Sequence, residues 1–527
     1  MSKYLIAICL LVSIRSLAAQ DAAISNPRIV NERWPSNYEA KSWMNDVVRI
    51  EKAQTDEEKT IALYKWVRLQ LHWGDQCYDG TRGTRMVECD AIKKINEFSY
   101  GFCVDFGVTC AALGYAGGLK AKEAHVPAHT ELEVAYKDAD GVERSHRLDP
   151  FWGITVYDKT GTHIATWEEI KADPNVALKP SKTLQPWGDK TGDRERFSDK
   201  GACKPDLRVR PSVYTMDKSL VAGETYTLSW DAAENVRYIN NHPDPALHDN
   251  QACWGWIRFQ YADGKVENLK YGHELLRPYT TMEGDKIEIK PTHGRLTFAP
   301  RLDKDFAESL YSPAQNVAIG AANEAKLHPA GAGSPGALIY AIRTPYVVAD
   351  AELTGSFRVA KDDSIKVSLA YADWKQLDYT VTQALPANPA WQTIWESKGD
   401  GPQTMKLKAS DVKLRGEYQY LIKIEMQAAK DARATGVDAL SFTSVFQESP
   451  IALPRLLPGK NTINITAGEI RPGYSLRVTY VWDDTKGKDH KEIKVIDKVP
   501  SSFEIEAAGA QAADVRSRYV SLEAIKK

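Results

Sequence analysis

The strongest pattern in the chain is residues 100–118, YGFCVDFGVTCAALGYAGG. It predicts a helix that begins at about Cys103 and runs to Tyr115. The helix is expected to stop at Gly117-Gly118, because glycine readily takes the left-handed conformation that ends a helix. Cys103 therefore lies in the first turn, where the helix dipole and the free backbone amides stabilise a thiolate.

Two predicted strands follow this helix, at residues 130–136 and about 144–148, joined by the turn Asp138-Ala139-Asp140-Gly141. His129 opens the first strand and Asp149 ends the second, so antiparallel pairing brings the two side chains close together. A nucleophilic thiol needs a base within hydrogen-bonding reach, and the base needs a partner that orients it. Cys103, His129 and Asp149 are therefore the predicted catalytic nucleophile, base and orienting acid.

Three motifs carry a resemblance to a known family: the G-x-C at Gly101–Cys103, the HTELEV at residues 129–134 and the Asp-Pro at Asp149-Pro150. With the helix upstream, residues of about 60–153 resemble the transglutaminase-like superfamily, whose site chemistry is related to papain-type cysteine proteases. The resemblance implies the same three roles for Cys103, His129 and Asp149. Glu133 matches the glutamate that the family motif often has on this strand.

The sequence departs from the family pattern at Glu131, where an aromatic residue is common. Glu131 is expected to alter access to the base or the substrate preference. The backbone amide of Cys103 is the default donor to an oxyanion. Gln76 and Trp73 are weaker candidates for that role.

The same residues allow other interpretations. A single cysteine in an exported protein is more often a disulfide partner, and an isolated Asp-Pro is usually a turn, so the prediction rests on the ordered set. The spacing His125-x-x-x-His129 would suggest metal ligands on a helix, but Pro127 and the strand-like flanks argue against it. The turn at residues 138–141 lacks the glutamate that closes a calcium loop. We predict no metal and no cofactor.

The first residues have the pattern of a secretory signal peptide of about residues 1–19: Lys3, an apolar run, then small residues at 16–19. The run is too short to span a bilayer, and no later stretch is long enough. The formal net charge of −2 argues against a nucleic-acid partner. The mature protein is expected to be secreted or periplasmic, with no integral membrane span.

Six cysteines follow the predicted signal, and an even number in an oxidising compartment first suggests three disulfides. The alternative favoured here leaves Cys103 and Cys110 reduced and pairs Cys77 with Cys89 and Cys203 with Cys253. Cys110 is predicted to be a small buried hydrophobic residue. Helix geometry keeps it too far from Cys103 to form a disulfide.

The length of 527 residues predicts several domains. After about residue 205, short alternating runs such as ETYTLSW and YSLRVTYVW replace the helical pattern and are typical of β-sandwiches. The fold class predicted is an α+β transglutaminase-like (papain-like) domain at 20–200, followed by all-β sandwich or jelly-roll domains. Their predicted bounds are 205–330, 337–448 with a faint galactose-binding-like pattern, and a small β domain at 449–527.

The function expected from these patterns is that of an exported cysteine hydrolase or acyltransferase. Its substrate would be an amide bond of an extracellular or periplasmic protein, peptide or glycan conjugate. The alternative is a catalytically inactive transglutaminase-like scaffold in a cell-surface or glycan-binding protein. A third possibility is a polysaccharide-processing enzyme, which requires acidic residues clustered in a β cleft. The aromatic residues of the β half, such as Trp391 and Trp395, are expected mostly in the core.

Overall fold

A computed structural model describes residues 22–73, 90–126, 129–151, 154–178, 210–233, 236, 292–377, 380–484, 486–510 and 514–527. It also describes short strands at 78–79, 86–87, 259–260, 266–267, 278–280 and 286–288. For these short strands and for residues 72, 73, 126, 376 and 377, only the backbone is described. The predicted signal peptide of residues 1–19 lies outside the described residues. Within them, the protein is rich in β-strands arranged in several sheets.

The helices of the described residues lie mainly before residue 180. In chain order they are α1 (Ala40–Glu51), α2 (Asp56–Gln70), α3 (Ala91–Lys93), α4 (Cys103–Ala116), α5 (Trp167–Ala172) and α6 (Ala409–Val412). A π-helix at Lys94–Phe98 continues α3, and 3₁₀ turns lie at Pro174–Leu178, Phe306–Ser309 and Ala432–Ala434.

The strands run through the whole described chain. In chain order they are β1 (Ile24–Ser25), β2 (Arg28–Asn31), β3 (His72–Trp73), β4 (Tyr78–Asp79), β5 (Met86–Val87), β6 (Tyr100–Gly101), β7 (Lys120–Val126), β8 (His129–Lys137), β9 (Glu143–Asp149), β10 (Ile154–Thr155), β11 (Glu224–Ser229), β12 (Phe259–Gln260), β13 (Val266–Glu267), β14 (Pro278–Thr280), β15 (Lys286–Glu288), β16 (Thr292–Phe298), β17 (Val317–Ile319), β18 (Leu327–Pro329), β19 (Gly336–Arg343), β20 (Val348–Val359), β21 (Ser364–Tyr371), β22 (Asp373–Leu377), β23 (Thr380–Ala384), β24 (Gln392–Glu396), β25 (Gly401–Lys408), β26 (Gln419–Gln427), β27 (Gly436–Glu448), β28 (Gly459–Thr466), β29 (Glu469–Ile470), β30 (Tyr474–Asp483), β31 (Asp489–Ile496), β32 (Ser501–Ala507) and β33 (Arg516–Lys526).

The N-terminal part combines helices with a four-stranded antiparallel sheet of order β10-β9-β8-β7. Thr55 and Glu58 form a capping box at the start of α2, each side chain bonding the other residue's backbone amide. The predicted core helix is α4, and it packs against β7 and β8. A Cβ on Gly107 would lie 2.8 Å from the Thr130 side chain, so glycine lets the helix approach the sheet closely. The helix and hairpin predicted from the sequence are thus confirmed.

The β-rich part is organised around a ten-stranded sheet whose main path is β17-β18-β27-β16-β11-β33-β30-β31, with β20 and β25 added beside β27. A second sheet of order β19-β26-β21-β24 faces it. The hydroxyls of Tyr420 and Ser444 lie 2.9 Å apart between the two sheets. Tyr340 of the second sheet also packs on Phe298 and Phe442 of the first. This aromatic layer is the sandwich-like core that the alternating pattern predicted.

The start of the described chain pairs with its last part. β1 pairs with β29, and β2 pairs with β28, both antiparallel. The side-chain amide of Asn31 donates to the side-chain oxygen of Asn461. The Trp34 indole nitrogen donates to the carbonyl of Ile451 at 2.7 Å. The N-terminal strands are therefore part of the C-terminal β structure. The domain bounds given above stay a prediction.

The segment at Ala91–Phe98, which we call the connecting helix, joins the N-terminal part to the β-rich part. The Lys93 ammonium donates to the carbonyl of Val381 and lies 4.4 Å from the centre of the Tyr418 ring. The Tyr418 hydroxyl donates to Glu97 at 2.7 Å. Since these polar groups are buried and paired, they fix how the two parts meet. Within the described residues, no helix is both long and apolar enough to cross a membrane.

Candidate active site

Cys103 is the first residue of α4, as predicted. The turn before it is held by Asp105, whose carboxylate accepts from the backbone amide of Phe102 at 2.8 Å. A Cβ on Gly101 would overlap the Cβ of Asp105, so only glycine fits there. This contact is a physical reason for the glycine of the G-x-C motif.

A buried ion pair between Lys94 and Asp105 stabilises the same turn. The Lys94 ammonium lies 2.6 Å from Asp105, and both side chains are fully buried. Burial raises the pKa of the Asp105 carboxyl, while Lys94 opposes the shift. A buried carboxylate needs such a partner. The connecting helix is thereby tied to the residue that shapes the start of α4.

His129 and Asp149 meet at the edge of the four-stranded sheet. His129 opens β8, Asp149 ends β9, and the two strands pair antiparallel. The His129 Nε2 donates to the Asp149 Oδ2 at 2.6 Å, and the Phe151 amide donates to the other carboxylate oxygen at 2.9 Å. Both oxygens of Asp149 are therefore bonded, which fixes the orientation of the imidazole.

Cys103 completes the group. Its side chain lies beside the imidazole of His129 and contributes to the pKa of that ring. Because Nε2 is occupied by Asp149, Nδ1 is the ring nitrogen available to the sulfur. The structure thus brings together all three residues that the sequence singled out, in the order thiol, imidazole, carboxylate.

The charge state of His129 follows from these neighbours. Burial alone would lower the pKa of the imidazole, but the Asp149 carboxylate and the neighbouring Cys103 side chain raise it from 6.5 to about 10. Partners that favour the charged form of a histidine raise its pKa. His129 therefore keeps its proton at neutral pH and loses it only as the pH rises through about 10. A positive imidazolium therefore stands beside the thiol.

Aromatic rings close one side of the group. Phe151 lies 5.8 Å from the His129 ring, centre to centre, and 5.6 Å from both Phe102 and Phe106. Cys103 is 5% exposed, His129 is 6% exposed and Asp149 is fully buried. Only a small reagent, or a substrate that displaces these side chains, reaches the thiol.

A second buried ion pair, which was not predicted from the sequence, lies beside His129 and Asp149. Glu131 and Arg147 are both buried and form a close salt bridge, and the Arg147 guanidinium stacks 4.2 Å from the centre of the Trp167 ring. Burial raises the pKa of the Glu131 carboxyl to about 7, opposed by Arg147 and strengthened by Asp149. The sequence spacing does indicate this ion pair. Glu131 is two residues from His129, and Arg147 is two residues from Asp149, so on paired strands all four side chains lie on the same face.

The geometry of His129, Glu131 and Asp149 also decides whether they can hold a metal ion. Of the described residues, His129, Glu131 and Asp149 have possible ligand atoms within 4.8 Å of one another. Arg147 already supplies the positive charge beside Glu131, and Nε2 of His129 is bonded to Asp149. A metal ion would have to displace both partners. The residues present do not fit a resident metal ion.

The other candidates take separate places. His125 lies on β7, with Nδ1 3.2 Å from the hydroxyl of Thr130 and Nε2 3.6 Å from Glu123, so it does not join His129 in a metal group. Glu133 accepts from Ser145 and pairs with Lys122. It therefore stabilises the sheet.

The candidate oxyanion donors are only partly described. Gln76 lies outside the described residues, and so does the side chain of Trp73. The backbone of Trp73 pairs with Gly101 in a short parallel ladder, two residues before Cys103. The backbone of Trp73 therefore lies close to the start of α4.

The cysteines agree with the prediction where they are described. Cys103 and Cys110 are both free. Cys110 is fully buried, and burial raises the pKa of its thiol far above the usual range. It is therefore the small buried hydrophobic residue that was predicted. The predicted bridges Cys77–Cys89 and Cys203–Cys253 lie outside the described residues.

Comparisons with known proteins add little. No family model matches the chain, and no curated protein matches it. Among solved structures it is similar to an FMN-binding β-glucuronidase from Facaelibacterium prausnitzii L2-6, at 14% identity over 40% of this chain and 32% of that one, with a TM-score of 0.12. A Parabacteroides merdae β-glucuronidase matches at 10% identity over 37% and 26%, also with a TM-score of 0.12.

The glycoside hydrolase domain of Endo-D from Streptococcus pneumoniae R6 matches at 12% identity over 64% of this chain and 51% of that one, with a TM-score of 0.13. The chain spans about a third or less of the two β-glucuronidases. These likenesses are too low to define a fold, and they do not indicate a transglutaminase-like domain.

Proposed function

We propose that this protein is an exported transglutaminase-like cysteine hydrolase or acyltransferase. Cys103 is its nucleophile, His129 its acid and base, and Asp149 the residue that orients His129. The single observation that supports this most is the chain of contacts from the Cys103 thiol through His129 to a fully bonded Asp149. The substrate class proposed is an amide bond of a protein, a peptide or a glycoconjugate.

In the first half of the proposed reaction, the Cys103 thiolate attacks the carbonyl carbon of the amide. The negative charge moves to the carbonyl oxygen, which the free amides at the start of α4 can stabilise. The His129 imidazolium then gives its proton to the leaving nitrogen as the carbon–nitrogen bond breaks. An amine leaves, and the acyl group stays on sulfur as a thioester.

The second half returns the enzyme to its starting state. Neutral His129 takes a proton from water, and the resulting hydroxide attacks the thioester carbon. The carbon–sulfur bond breaks, the acid is released, and the imidazolium again stands beside the thiolate. An amine in place of water would give acyl transfer by the same steps. Hydrolysis is favoured here, because water is abundant and no described group forms an evident acceptor site.

One observation favours a second candidate function, a scaffold that keeps the fold without the activity. Cys103 is only 5% exposed, and Phe151 and Phe102 pack beside the triad. A sulfur that no acyl donor reaches would leave the domain as a binding platform. Under this alternative the ion pairs around Cys103 stabilise the domain and serve no reaction.

Acylation with a small activated ester separates the two functions. We expect p-nitrophenyl acetate to release p-nitrophenol and to leave an acetyl group on Cys103, found by mass spectrometry of the peptides after brief reaction at pH 7. Cys103→Ala should lose the adduct, and Cys110→Ala, which removes the other free thiol of the described residues, should keep it. Acetate on other residues only, or equal release by Cys103→Ala, would support the scaffold.

A further inference from the structure

A cavity of about 490 Å³ lies in the β-rich part, away from the residues of the triad. The extended segment at 213–219 forms one wall, and the end of β19 and the start of β26 form another. Its volume is in the range of sites that hold small organic ligands.

The charges on the cavity wall are paired except for one. Asp217 accepts two bonds from Arg28, at 2.7 and 3.0 Å. Glu224 accepts from the buried Lys218 ammonium at 2.7 Å. Both carboxylates of the wall are therefore paired, although Arg28 also lies 3.4 Å from Glu39, which is outside the cavity.

Arg343 is the exception. Within the described part of the chain, its guanidinium makes no hydrogen bond and no ion pair, and its contact is with the Tyr311 ring, 5.3 Å to the centre. Burial lowers the pKa of the Lys218 ammonium, and the positive charge of Arg343 lowers it further. The cavity wall thus has one cation without a carboxylate partner, and this cation lies against an aromatic ring.

The rest of the wall combines apolar side chains with neutral polar ones. Its hydroxyl and amide side chains include Asn26, Thr215, Ser219, Thr344, Thr382 and Gln419. Such groups both donate and accept hydrogen bonds, as sugar hydroxyls do. A guanidinium binds a carboxylate through two parallel hydrogen bonds.

We propose that this cavity binds an acidic saccharide, with the guanidinium of Arg343 bound to the sugar carboxylate and the hydroxyl and amide groups of the wall bonded to its hydroxyls. The site is separate from the Cys103 group and does not depend on the activity proposed for it. It would place an acidic glycan on the same chain as the proposed amidase.

Calorimetric titration with a matched pair of probes tests this proposal. Digalacturonic acid and galactobiose differ in carrying a carboxylate or a hydroxymethyl group on each ring. We expect the full mature chain to bind digalacturonic acid at one site, about tenfold more tightly than galactobiose, and less tightly as salt is added. Absence of binding, or equal affinity for both sugars, overturns the proposal.

Variants assign the site. Arg343→Gln should lower the affinity for digalacturonic acid to that for galactobiose, and Arg343→Lys, which keeps the charge without the two-pronged geometry, should fall between. Arg301→Gln removes a partly exposed arginine outside the cavity and should leave binding unchanged. Unchanged binding by Arg343→Gln, or equal losses in Arg343→Gln and Arg301→Gln, overturns the assignment.

Discussion

Replacing Arg147 by Met is expected to lower the free energy of unfolding by about 3–5 kcal/mol. The change leaves the Glu131 carboxylate without its cation in a fully buried place, close to the Asp149 carboxylate. It also removes the guanidinium from the face of the Trp167 ring. Urea unfolding followed by tryptophan fluorescence measures the loss.

The matched control is the double variant Glu131→Gln/Arg147→Met. Since it removes both charges together, it should recover at least about half of the lost stability. A loss below about 1 kcal/mol in Arg147→Met would mean that Glu131 and Arg147 are not coupled as the structure has them. A double variant as unstable as the single one would mean that the missing side-chain volume, and not the charge, causes the loss.

The second large effect is expected on catalysis. His129→Ala should slow the acylation of Cys103 by p-nitrophenyl acetate at pH 7 by about 100-fold or more, because a positioned acid-base group typically contributes that much. Burst-phase release of p-nitrophenol measures the rate. His125→Ala is the matched control, since His125 lies on the neighbouring strand with partners of its own. Equal slowing in both variants would contradict the role given to His129.

The parts of the fold that local sequence patterns encode were predictable. The capping box at Thr55, the helix from Cys103 and the hairpin around Gly141 each depend on residues close together in the chain. Pairing of β1 with β29 joins segments more than 400 residues apart, and neither strand carries a local mark of its partner. The chain-end pairing was therefore not predicted.

The site was predictable in its reacting residues and not in its supports. Cys103, His129 and Asp149 are of residue types that suggest chemistry by themselves. Lys94 and Arg147 are charged residues, which usually lie at the surface of a protein. Only the tertiary structure shows that each is buried against a carboxylate. A search of the paired strands for opposite charges two residues from the candidate triad would have found Arg147.

We propose that a protonated His129 activates the Cys103 sulfur as a nucleophile. The direct test is the rate at which iodoacetamide alkylates Cys103, measured as a function of pH. The rate is read by peptide mapping of the folded protein. We expect a rate that changes little between about pH 6 and 8, because the proposed mechanism requires the sulfur to react as a thiolate beside an imidazolium that keeps its proton until about pH 10. A rate that falls about tenfold per pH unit below pH 8, as for an ordinary thiol, or a Cys103 that never reacts, would contradict it.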